Sequence, residues 1–163
     1  MVYITIIVSF ILDSIVSNFI SLNSVFTPLF TLMSLLLIYP YFKNNNYKYL
    51  ITCFVSGLCY DLIYTDTIII HGFLFLLIGF IVTRFSLILS NSFVNILILA
   101  IVCIVIYRFI TYGLLLITAN TSFKWIFLFK SIYKSILMNL IYVSMGYIIL
   151  EKLSPKLKIR RLN

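Results

Sequence analysis

Long apolar runs separated by short polar breaks make up nearly the whole chain. A helix that crosses a bilayer core needs about 20 apolar residues, because every backbone amide must find its partner inside the segment. Read by that length, the pattern predicts six membrane-spanning helices, over residues 2–20, 25–42, 49–64, 68–85, 93–117 and 130–150. The first ends in Ser21-Leu22-Asn23-Ser24. The second places Pro28 in its first turn, where a missing amide hydrogen costs little, and Pro40 near its exit. Lys43-Asn44-Asn45-Asn46-Tyr47-Lys48 is a polar loop. Thr65-Asp66-Thr67 is a tight turn, so the third and fourth segments are antiparallel neighbours, with Asp66 or Thr67 placed to cap the fourth. The polar run from Asp61 to Thr67 argues against one long span in place of these two. A loop from Thr118 to Trp125 precedes the last segment, and its aromatics suit the membrane boundary.

Composition excludes a soluble domain. Of 163 residues, 63% are hydrophobic and 10% charged, with mean hydropathy +1.18, which leaves too little polar surface to cover a core. The net charge of +8 comes from cations at segment ends and in a basic tail over residues 151–163. That placement suits anionic lipid headgroups, at about 1 kcal/mol per cation, and not nucleic acid. With both termini in the cytoplasm, Lys43, Lys48, Arg84 and five tail cations face inside against Lys124 and Lys130 outside, so the positive-inside rule selects that orientation in the cytoplasmic membrane. The first run has no basic leader and no small-residue cleavage site, and is expected to be retained. Cys53, Cys59 and Cys103 lie in apolar segments without metal-ligand spacing to His71, so no cofactor or metal is expected.

Four charged residues fall inside the segments: Asp13, Asp61, Arg108 and Lys134. Each costs about 2.5–3.5 kcal/mol near the bilayer centre, so each should face protein or water. At a rise of 1.5 Å per residue they lie about 3, 7, 4 and 9 Å from their segment midpoints, all toward the outer face, with His71 at similar depth. Thr5, Ser9, Asp13 and Ser17 recur every four residues, as do Cys53, Gly57 and Asp61, and Ser131, Ser135 and Asn139. Such stripes allow close helix packing in a membrane. Asp13, Gly57, Asp61, His71, Arg108, Lys134 and Asn139 therefore form the candidate polar network or partner-docking set, with Arg108 expected to neutralise Asp13 or Asp61. Nucleophile, phosphate-loop and metalloprotease signatures are missing, so no catalytic site and no enzyme activity are expected.

The run Phe54-Val55-Ser56-Gly57-Leu58-Cys59-Tyr60-Asp61-Leu62, the turn after it, and Ile70-His71-Gly72-Phe73 with Leu77-Ile78-Gly79-Phe80 resemble the core of the rod shape-determining protein MreD family. That pattern is a Gly, an Asp-Leu four residues later, a turn, a His or Asn, then a Gly followed by an aromatic. Pro28 and Asn139 resemble residues the family carries at those places. Two positions depart: the family often has Gly two residues before the His or Asn, where this chain has Ile69, and an acid after the Pro, where it has Leu29.

The resemblance implies a non-enzymatic membrane subunit of the cell-elongation (rod) complex. Such a subunit binds the bitopic scaffold MreC and, through it, the MreB filament and RodA with its class B penicillin-binding transpeptidase, supporting cell shape and lateral peptidoglycan synthesis. The alternative is the substrate-binding membrane subunit of an energy-coupling-factor vitamin transporter, which has a similar six-helix architecture. Such a subunit usually carries Ala-x-x-x-Ala on its first helix, where this chain has Ser9 and Asp13 at that spacing.

Overall fold

A computed structural model of the chain describes residues 2–19, 28–65, 69–88, 92–119 and 123–153. They form six helices: α1 (Val2–Phe19), α2 (Phe30–Phe42), α3 (Asn46–Tyr64), α4 (Ile70–Ile88), α5 (Phe93–Ala119) and α6 (Trp125–Leu153). No strand occurs among the described residues. Within α5 and α6, Phe93–Thr118 and Trp125–Lys152 are long and apolar enough to cross a membrane. The apolar stretches Val2–Val16, Phe30–Phe42 and Ile70–Ser86 are shorter.

α2 is the axis of the bundle. Every residue from Phe30 to Tyr39 is buried, as expected of a helix that is apolar all round. It touches each of the other five helices, while α1 with α2, α3 with α4 and α5 with α6 form the consecutive antiparallel pairs. Its 13 residues extend only about 20 Å, less than the thickness of a bilayer core. Leu32, Met33, Ile38, Tyr49, Phe75, Ile104 and Val143 fill the interior around it. Tyr49 ties α3 to the axis by donating its hydroxyl to the Leu35 carbonyl at 3.1 Å.

Helix boundaries differ from the hydropathy segments where a polar group supplies a cap. α2 begins at Phe30, so Pro28 stands before the helix and not in its first turn. α3 begins inside the polar run, at Asn46, because the Asn45 side chain accepts from the Lys48 amide at 3.1 Å. α4 begins two residues later than expected and continues to Ile88, α5 reaches Ala119, and α6 begins at Trp125 and reaches Leu153. Asp66 and Thr67, Ser17's side chain, Ser21 to Ser24, and the tail beyond Leu153 lie outside the described residues.

Candidate functional site

The C-terminal halves of α1, α3 and α5 meet the N-terminal halves of α2, α4 and α6 at one end of the bundle. Phe10 touches Tyr60 and Tyr64, His71 touches Tyr60 and Tyr107, and Arg108 reaches Ser135, which joins five helices there, and α2 enters through Phe30, whose amide meets Asp13. The first amides of a helix have no partner in their own segment, and in an apolar medium each needs an outside acceptor.

At α2 those acceptors come from α1 and α6. Pro28 has no amide hydrogen. Leu29 N donates to Asn139 Oδ1 at 2.8 Å, Phe30 N to Asp13 Oδ1 at 2.9 Å, and Thr31 N and Oγ1 to Asp13 Oδ2 at 2.8 and 2.6 Å. Asn139 is oriented by its own Nδ2, which donates to the Ser135 carbonyl at 2.7 Å. Both Asp13 and Asn139 are almost wholly buried. A carboxylate at this place also meets the positive end of the α2 dipole. One turn further in, Ser9 Oγ lies 3.0 Å from Ser34 Oγ, continuing the α1–α2 seam.

At α4 the acceptor comes from α3. Asp61, 2% exposed, accepts from His71 N at 2.9 Å and Gly72 N at 3.3 Å through Oδ2, while Oδ1 lies 2.7 Å from His71 Nδ1 and takes the Thr65 hydroxyl at 3.0 Å. The approach depends on Gly57, one turn earlier on α3. A Cβ there would stand 2.3 Å from the His71 carbonyl oxygen and 2.7 Å from Gly72 Cα, both backbone. Gly79 plays the same part further along, where a Cβ would meet Cys53 Sγ at 2.7 Å. Ile69, immediately before α4, has φ of 73°, a left-handed conformation that favours glycine and strains a β-branched residue. This is the position at which the resembling pattern often has Gly.

Arg108 adjoins the first cluster through Ser135, whose carbonyl takes the Asn139 amide. Its Nε donates to Ser135 Oγ at 2.6 Å and its guanidinium carbon lies 5.8 Å from the Tyr107 ring centroid. The structure does not pair Arg108 with Asp13 or Asp61 as expected; Asp61 is paired with His71 instead. Both carboxylates are already held by helix-end donors, and the rings of Phe10, Tyr60, Phe75 and Tyr107 touch one another in series. Lys134 is half-buried on α6, one residue before Ser135. The structure thus gathers Asp13 with Asn139, joins Arg108 to Asn139 through Ser135, and sets Gly57 with Asp61 and His71 in a neighbouring cluster. Thr31 and Ser34 take part in the first cluster without having been singled out; their only signal was polarity at a spacing of three in an apolar run.

No group of His, Cys, Asp and Glu that could hold a metal occurs among the described residues. A recess of about 610 Å³ opens between α1 and α6 above Phe30 and Leu37 of α2. Its lining is apolar apart from Thr5 and Tyr142.

A bundle that uses its few ionisable groups to close helix ends, and to let helices approach, is a small all-helical apolar protein with an architectural role for its polar residues. The match to known families agrees: residues 1–157 fit the model of the rod shape-determining protein MreD, and the chain belongs to that family. It is a family of membrane proteins that act in rod shape determination, and not one of enzymes. No curated protein and no solved structure matches the chain.

Proposed function

We propose that this chain is a non-catalytic, multi-pass subunit of the cell-elongation complex in the bacterial cytoplasmic membrane, with six spans and both termini in the cytoplasm. In this reading it binds the bitopic scaffold MreC, and through it MreB, RodA and the class B transpeptidase, so that lateral peptidoglycan synthesis is organised for rod shape. The observation that carries the proposal is family membership over residues 1–157 of 163. The polar chemistry supports it, because Asp13, Asp61 and Asn139 are engaged at helix ends. The basic residues at segment ends support the orientation.

The test is recovery of tagged protein from membranes in mild detergent. A bitopic protein with a coiled-coil periplasmic domain is expected to co-purify, and depletion of the chain is expected to round the cells. Recovery of coupling-factor ATPases, or micromolar vitamin binding by the purified chain, would instead establish the transporter reading.

A further inference from the structure

α5 carries an unpartnered seam. Val94, Ile98, Ile101 and Val105 are all exposed, from 36% to 58%, and follow one another at spacings of four, three and four. The next step of three lands on Arg108, which is partly exposed. Alternating spacings of three and four, filled by Val and Ile, are the pattern by which two helices interlock along a left-handed crossing. The seam is about 21 Å long at 1.5 Å per residue, most of a bilayer core.

Arg108 gives the seam a charge requirement. The Nε bond to Ser135 is the hydrogen bond it makes among the described residues, and no carboxylate lies within 4.0 Å. It stands two residues past the middle of α5 (Phe93–Ala119), which places it about 3 Å from the centre and about 12 Å short of the headgroup layer. Ser135 lies 10 residues from the start of α6 and Arg108 lies 11 from the end of α5, so the bond holds the side chain level instead of letting it reach for the interface. A counter-charge at that depth has to ride on another spanning helix.

We infer that the α5 seam receives a transmembrane helix of a partner protein, which brings an Asp or Glu carboxylate to the level of Arg108. For the identity of that helix the inference rests on the scaffold reading: the bitopic partner has one span to offer. The guanidinium presents its terminal nitrogens to the carboxylate, and the β-branched residues fill the crossing above it.

The experiment is co-expression with the bitopic partner and purification in a neutral maltoside. Arg108→Gln should reduce the retained partner at least about tenfold, Arg108→Lys should retain more, and Arg108→Glu should recover the partner when its acid is changed to Lys. Ile101→Trp and Val105→Trp alter the seam away from any internal contact of Arg108, and should weaken retention even if Arg108→Gln fails to fold. A partner span without Asp or Glu at this level, or full retention by Arg108→Gln and both Trp variants, overturns the inference and leaves the scaffold reading intact. Absence of any bitopic partner from the wild-type preparation overturns the scaffold reading and this inference together. Tight retention of phosphatidylglycerol by the wild type alone, lost in Arg108→Gln, assigns the counter-charge to a lipid and also overturns it.

Discussion

Gly57→Ala tests the α3–α4 approach directly. The added Cβ would stand 2.3 Å from the His71 carbonyl oxygen, against about 3.4 Å for ordinary contact, so the helices must separate by about 1 Å. The three atoms that block it, His71 O and C and Gly72 Cα, are all backbone, and none can rotate away. The movement carries His71 N and Gly72 N off Asp61 Oδ2, from 2.9 and 3.3 Å to beyond hydrogen-bonding distance. Overpacking costs about 1–3 kcal/mol. Loosening amide bonds to a buried carboxylate adds about 1.5–3 kcal/mol for each one lost. Together these come to about 4–9 kcal/mol, so a loss of at least about 4 kcal/mol is expected, a large part of the stability of a domain this size. Gly113→Ala on α5 is the control, because a Cβ there meets nothing within 4 Å and alanine is the better helix former, by about 1 kcal/mol. Unfolding in mixed micelles, followed by circular dichroism, reads both. If Gly57→Ala unfolds within 0.5 kcal/mol of wild type (roughly the error of such titrations), or Gly113→Ala is equally costly, then the close approach is not what holds α4 to α3.

Asp13→Asn keeps one acceptor but turns an amide toward Thr31, and should destabilise by about 3 kcal/mol in the same assay; an unchanged midpoint would mean that the α2 end is satisfied some other way. Ile69→Gly relieves about 1–2 kcal/mol of left-handed strain against about 0.5–1 kcal/mol of added chain entropy, so a slightly raised melting temperature is expected and a lowered one would contradict the strain. His71→Asn retains a side-chain donor for Asp61 and should stay within about 1 kcal/mol of wild type, whereas His71→Leu should lose about 1.5–3 kcal/mol, which thermal unfolding of the pair will rank.

Hydropathy placed a segment at each of the six helices among the described residues, because the bilayer length rule and the polar breaks at Lys43–Lys48 and Asp61–Thr67 are local properties of the chain. What it misread were the starts. Pro28 looked like a first-turn proline because nothing nearby in sequence says that Asp13 and Asn139 will cap α2 from two other helices. Asp61, on the other side of the turn, accepts from α4 amides and was not foreseen in that role, while Asp66 and Thr67 lie outside the described residues. Periodicity did place Asp13, Asp61 and Asn139 on inward stripes. Their role was not legible, since an acidic residue at helical spacing looks alike whether it meets an arginine or a row of amides. Pairing of Arg108 with an acid was the natural expectation from charge alone, and it failed because the amides had already claimed both carboxylates.

The caps also set an order of assembly. Asp13 is synthesised before the α2 amides it accepts, and Asp61 before those of α4, so each of these helices leaves the ribosome with its acceptor already made. Leu29 is different: its acceptor, Asn139, lies 110 positions downstream. Through most of translation the central helix therefore has one amide waiting, and the arrival of α6 completes it. The final helix acts as a latch on the first hairpin, and a chain truncated before Asn139 would stay unlatched at its own axis.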